Sequence, residues 1–252
     1  MAANRNRKSR TTIVFLTIVV LFSLGTMGYS GLQLCTADLE SRESGKVYES
    51  LDEVKKETSI GQTYDFAELA KINPDIVAWI RIDDSMINYP VVHGNDNQYY
   101  LEHLFDGTAN HHGTVFVDAY NSPGFTDQNT AVYAHHMNDG TMFADLEKYK
   151  DPDWAESHSV IYLYTREGEY KIYPFAGFKY SGTQQQIQLS FSEAQTFESY
   201  VEELKSKSQI SLTADVAPDD QIVTLSTCTY GNNWQYNNER FAIFGKLEKV
   251  SH

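Results

Sequence analysis

A thiol attacks a carbonyl only as the thiolate, and the amine it expels needs a proton, so a cysteine that performs acyl transfer requires an imidazole within reach. The oxyanion formed on the way needs a cation or aimed donors, a task that suits the permanently charged, fork-shaped guanidinium of arginine. The chain holds these three types in three short islands: Tyr133-Ala134-His135-His136-Met137-Asn138-Asp139-Gly140-Thr141-Met142-Phe143, Thr224-Leu225-Ser226-Thr227-Cys228-Thr229-Tyr230 and Asn238-Glu239-Arg240-Phe241. His135 follows the apolar run 130–134, Cys228 follows 222–227, and Arg240 opens 241–247. Each reactive residue therefore sits where a strand-like run meets a polar one, a rigid platform with loop access. From residue types and spacing alone, a Cys/His/Arg site stands against unrelated structural roles, a buried structural cysteine among them.

What must position them is a β-rich body. Short runs rich in β-branched and aromatic residues recur at 77–82, 89–92, 114–117, 130–134, 160–164, 170–178, 222–227 and 241–247, punctuated by Gly, Pro, Asn and Asp. Eight short strands at irregular spacing suggest a closed or nearly closed barrel. One long helix is expected between the strand ending at Phe178 and the one opening at Ile222. There Ser192 and Gln195 read as a capping box, and Ala194, Phe197, Tyr200, Val201 and Leu204 form one apolar stripe, which predicts a surface helix over 192–207. Nearer the N-terminus, Val47, Tyr48, Leu51 and Val54 predict a short amphipathic helix ending near 58–61. A second short helix runs from the N-cap Asp65 to about Ile72, where Pro74 stops it. Asp151-Pro152-Asp153-Trp154 reads as a turn.

The formal net charge is −14, and four of the positive charges, Arg5, Arg7, Lys8 and Arg10, lie in the first ten residues, which leaves −18 on the rest. A body so acidic repels nucleic acid and anionic lipid. No charged residue occurs from Thr11 to Ala37, and Ile13 to Tyr29 is dominated by Ile, Val, Phe and Leu. Such a run spans a bilayer core of roughly 30 Å as a helix. Four basic residues before it and Asp38, Glu40, Arg42 and Glu43 after it predict a single-pass anchor in the cell membrane, with a cytoplasmic N-terminus and an extracytoplasmic body. An uncleaved anchor is favoured over a signal peptide because the apolar run is long and no A-x-A site follows. The chain has two cysteines, Cys35 at the membrane exit and Cys228. With no disulfide framework in an extracytoplasmic protein, Cys228 is flagged as a reactive thiol. His111 and His112 form another pair, but no surrounding cluster has metal-ligand spacing, so no metal is expected.

The segment L-S-T-C-T-Y around Cys228, followed twelve positions later by Arg240 in N-E-R-F, resembles the active-site signature of the sortases. The segment H-x-M-x-D-G-T-M-F from His135 is similar to class B sortases in particular, as is N-P-D-I-V-A-W-I-R-I-D-D-S-M-I-N-Y-P-V-V from Asn73 to Val92. The resemblance covers about residues 64–247. Ala134 stands where the family usually has Gly, and His136 where Asn is common. Adjacent residues on an extended chain face opposite ways, so only one histidine can meet Cys228, and the motif selects His135.

The resemblance implies a mainly β fold, an eight-stranded barrel with N-terminal helices and a long surface helix before the cysteine strand, preceded by one transmembrane helix. The corresponding division is a cytoplasmic basic segment at 1–10, a signal anchor at 11–34, a spacer with a short helix at 35–60 and a catalytic domain at 61–252. The implied reaction is transpeptidation. Cys228 attacks a Thr carbonyl in the C-terminal sorting signal of a secreted protein, His135 serves as acid and base, Arg240 stabilises the oxyanion, and a peptidoglycan-precursor or pilin amine resolves the thioacyl enzyme. No cofactor and no nucleic acid are implied. Thr227, Tyr230, Trp234, Tyr236 and Met142 are the expected substrate contacts. Two rivals are a cysteine amidase or protease, resolved by water, and a surface binding domain without catalysis.

Overall fold

The computed structural model describes residues 3–51, 55–58, 61–183, 186–192, 196–230 and 236–250, with the side chains of 3–11, 55–58, 61–63, 228–230 and 236–237 outside that description. It divides into two compact units, 1–43 and 44–252. The first unit is helical and belongs to helix α1 (Ala3–Ser50). From Thr12 onward this helix is long and apolar enough to cross a membrane, and none of that apolar stretch is buried in protein. Within the segment 35–60 expected as a spacer, the helix runs unbroken to Ser50, with Arg42 paired one turn back to Asp38 at 3.0 Å. The separate helix expected around 47–54 is thus the end of α1, and a hairpin of β1 (Lys55–Thr58) and β2 (Gly61–Tyr64) follows.

Helix α2 (Phe66–Ile72) starts as expected, with Asp65 accepting from the amides of Ala67 and Glu68 at 3.0 and 3.2 Å. Eight strands then close a barrel: β3 (Ile76–Arg81), β4 (Asn88–Val92), β5 (Val115–Val117), β6 (Asn129–Ala134), β7 (Ile161–Thr165), β8 (Gly168–Ser181), β9 (Gln221–Tyr230) and β10 (Tyr236–Lys249). Their order around the barrel is β10-β8-β7-β3-β4-β5-β6-β9. The pairs β4–β5 and β6–β9 are parallel and the remaining barrel pairs antiparallel. Closure gives every barrel strand a neighbour on both sides. Alternation along the strands sorts the core into layers: Val223, Leu225, Phe241 and Ile243 fill the interior, while Ile222, Ala242 and Phe244 face outward.

The outward layer is covered by helix α4 (Phe197–Lys207), which buries Phe197, Tyr200, Val201 and Leu204 against it. Each such side chain contributes about 1.5–3 kcal/mol by leaving water. The helix begins at 197 with Thr196 as its cap, bonded to the Ser199 amide at 3.2 Å, so the earlier start at Ser192 is corrected; Ala194 and Gln195 lie outside the described residues. The Asp151–Trp154 segment is also more regular than a turn. A 3-10 helix (Ala144–Lys150) leads into helix α3 (Pro152–Ser157), capped by Asp151 with proline at its first position, a residue pair that starts helices.

Candidate active site

Strand register brings the three islands to one end of the barrel. Ala134 is the Cα partner of Thr227 where β6 runs parallel to β9, so His135 and Cys228 are the next residues along two neighbouring strands. On the other flank of β9, Cys228 is the Cα partner of Arg240, and Arg240 is in turn the partner of Tyr180 on β8. Neighbouring strands lie about 4.8 Å apart, so the backbones of the three residues occupy one small patch.

His135 is held by a long-range contact, its Nε2 lying 2.7 Å from the carbonyl oxygen of Leu101. A carbonyl only accepts, so Nε2 carries the proton in this contact and Nδ1 is the basic nitrogen of the neutral ring. Burial holds the imidazole below its ordinary pKa. The Leu101 carbonyl and Glu102 act the other way, and the nearby His111 and Arg240 side chains add to the lowering. His135 and Arg240 therefore sense each other electrostatically.

His136 occupies a different environment. It forms an isolated bridge with Met142, burial lowers its pKa, and its charged neighbours are Glu147, Lys150, Lys179 and Asp145. Arg240 follows a local irregularity in the β9–β10 register, where Asn238 takes the left-handed φ of 56°. The Gly182 amide donates to the Asn238 carbonyl at 2.7 Å, and a Cβ on Gly182 would stand 2.6 Å from Asn238 Oδ1 and 3.1 Å from Arg240 Nε. Glu239 lies 3.9 Å from Lys179.

The expected substrate contacts fare unevenly. Met142 is fully buried in the barrel core at a left-handed φ of 57°, its amide donating to Tyr89 Oη at 3.0 Å, so among the described residues it packs the interior. Thr227 is buried opposite Phe241 and Ala134, and its hydroxyl has no hydrogen-bond partner among the described residues. Tyr230 ends β9 opposite Tyr236 on β10, while Trp234 lies outside the described residues. His111 and His112, considered for metal from sequence, each meet a carboxylate: His111 Nδ1 is 2.8 Å from Glu102 and His112 Nε2 is 3.0 Å from Asp139. That pairing carried no sequence signal, because the partners are separated by loops whose folding no periodicity announces.

The sortase domain family matches residues 80–248, which contain all three islands. Sortase B of Listeria monocytogenes is 32% identical over 238 residues, covering 92% of this chain and 95% of that protein. Sortase B of Staphylococcus aureus is 31% identical over 242 residues, covering 94% and 98%. Among solved structures, a sortase B from B. anthracis superposes with a TM-score of 0.73 at 32% identity, over 84% of this chain and 99% of that one. A Staphylococcus aureus sortase B–substrate complex gives 0.68 at 34% identity, over 74% and 85%. The chain belongs to the sortase family, whose members are cysteine transpeptidases. Its barrel and its relatives make it a class B sortase.

Proposed function

We propose that this sortase cleaves the sorting signal of a secreted protein after a threonine, holds the acyl group on Cys228 and transfers it to an amine. The observation that carries the reading is the register that sets Cys228 opposite Arg240 and one step beyond the Thr227–Ala134 pair that precedes His135. Nδ1 of His135 takes the proton of the Cys228 thiol, the resulting thiolate adds to the threonine carbonyl, and the oxyanion meets the Arg240 guanidinium. Collapse breaks the C–N bond while the protonated His135 ring gives its proton to the departing amine. An incoming amine then attacks the thioester and His135 takes the proton released. Nδ1 is the nitrogen that exchanges protons, because Nε2–H is engaged by Leu101. His135 is preferred to His136 because Arg240 acts on His135, whereas the charged neighbours of His136 are Glu147, Lys150, Lys179 and Asp145.

Tyr230, Trp234 and Tyr236 are substrate contacts in this reading, and the acceptor is an amine of a peptidoglycan precursor or a pilin. The α1 span crosses the membrane with its basic end inside, which puts the barrel on the side where exported substrates arrive. Incubating the full-length protein with sorting peptides, with and without an amine acceptor, tests the reaction. Ligated product that disappears in Cys228→Ala and His135→Ala supports transpeptidation. Hydrolysis alone, indifferent to acceptor, supports the amidase, and no turnover with any peptide supports a binding domain.

A further inference from the structure

His135 stands on a loop, and two segments distant in sequence meet around it. One is the loop from His135 to Phe143, closed on itself by the Phe143 amide donating to the His135 carbonyl at 2.9 Å and the Gly140 amide to the Met137 carbonyl at 3.1 Å. The other is the segment 100–114, whose Leu101 carbonyl receives the His135 ring. That segment is itself tightly folded. Thr114 donates to the Tyr100 carbonyl at 2.8 Å, Asn110 to the Glu102 carbonyl at 2.9 Å, and Tyr48 Oη to the Gly113 carbonyl at 2.6 Å.

The two segments touch at a second point. The His112 ring is 4% exposed, and its Nε2 lies 3.0 Å from Asp139 Oδ2. Its backbone amide donates to Asn110 Oδ1 at 3.0 Å, and its Nδ1 stands 3.1 Å from the same oxygen, so the ring is oriented from its own side. Asp139 uses its other oxygen, Oδ1, to receive the Thr141 amide and hydroxyl at 3.0 and 2.6 Å, which ties the tip of the His135 loop to the same carboxylate.

We propose that His112 and Asp139 form a latch that positions His135, clamping the 135–143 loop to the 100–114 segment so that the ring keeps its hydrogen bond to the Leu101 carbonyl and presents Nδ1 to the reacting atoms. The physical reason is geometric. The base of the loop is fastened by Met142 and Phe143, and the further fastening at its tip, four residues beyond His135, restricts how far the segment between them can swing. The carboxylate is one-third exposed but its partner is buried, so the contact is held by packing and resists competition from water. Both residues act through another side chain and are positioning residues. The inference rests on His135 being the acid/base of the proposed reaction.

The test uses the full-length protein in detergent, comparing His112→Leu, His112→Gln, Asp139→Asn, the double variant that combines His112→Leu with Asp139→Asn, and His135→Ala as control. Misplacing a reacting group by about 1 Å costs on the order of a hundredfold, so His112→Leu should lower kcat by about tenfold to a hundredfold with KM little changed. Gln can still donate to Asp139 and should recover most of the loss. The double variant should be no worse than the poorer single one. Nitrogen-15 spectra of the histidine rings should show His135 protonated at Nε2 in the native protein and at a mixture of nitrogens in His112→Leu. A folded His112→Leu with native kcat and a native His135 spectrum would overturn the latch. Where that variant does not fold, Asp139→Asn decides by the same two readouts. Should His135→Ala retain transpeptidation, the reading of the site fails first; should it abolish turnover while the latch variants stay native, only the latch is wrong.

Discussion

At the scale of single residues, the site is organised around an imidazole whose charged form is disfavoured by burial. His135 has its pKa lowered chiefly by desolvation, with Glu102 opposing and Arg240 reinforcing the shift. An NMR titration should therefore place its midpoint below the ordinary imidazole value. Arg240→Gln removes a positive neighbour and should raise the midpoint; Glu102→Gln removes a negative one and should lower it further. The unfolded chain takes up this proton first as pH falls, so the folded site loses stability on acidification from the ordinary imidazole value down through the lowered one. A midpoint at or above the ordinary value would contradict the burial argument. Arg240 is separable by geometry from mere charge: Arg240→Lys keeps the charge but not the fork, and single-turnover acylation should slow by about a hundredfold to a thousandfold. Near-normal acylation in a folded Arg240→Ala would remove the residue from catalysis. That Cys228, His135 and Arg240 belong to neighbouring strand ends was legible in the sequence because each ends or opens a strand-like run in a recognisable motif. His112 was not, since a histidine in a loop carries no periodicity and its partner Asp139 lies 27 positions away.

At the scale of elements, two glycines hold the site open. Gly113 sits at φ 62°, and a Cβ there would stand 2.5 Å from the Tyr100 carbonyl oxygen and 2.8 Å from that of Leu101, the acceptor of His135. Gly113→Ala adds a left-handed strain of about 1–2 kcal/mol and pushes the acceptor away, so turnover should fall more than melting temperature would suggest. Gly182→Ala crowds Arg240 Nε and should slow acylation while leaving the His135 titration close to native. Equal turnover in both alanine variants and the parent, checked by steady-state assay, would deny the crowding argument. All eight barrel strands were foreseeable, because runs such as 222–227 combine β-branched residues with flanking turn residues. Boundaries were less so. β10 extends back to Tyr236 through the polar stretch before Arg240, where pairing with β9 overrides composition. The start of α4 shifted for a similar reason: Thr196 supplies the cap that Ser192 was expected to provide. Met142, expected from sequence to contact substrate, is buried because the loop after His135 folds back on the core.

At the scale of the whole molecule, the proposed orientation sets the acidic barrel outside the membrane and the basic flank of the apolar helix inside it. In a Cys35→Ser background, a membrane-impermeant thiol reagent applied to cells with a permeable wall should label Cys228 without lysis; labelling only after lysis would reverse the orientation. The long apolar helix was plain from the uncharged stretch 11–37, whereas its continuity through 36–45 was hidden by Gly45 and a run of charges that read as a spacer. The central claim is that Cys228 carries the acyl group between two amines. Intact-mass spectrometry of the full-length protein, quenched in acid during turnover of a sorting-peptide library, measures this directly. A single adduct equal to the N-terminal peptide fragment, mapped to Cys228, absent from Cys228→Ala and discharged to ligated product on adding amine, is the expected result. Turnover without any adduct on Cys228, or an adduct that yields only hydrolysed peptide with amine present, would contradict it.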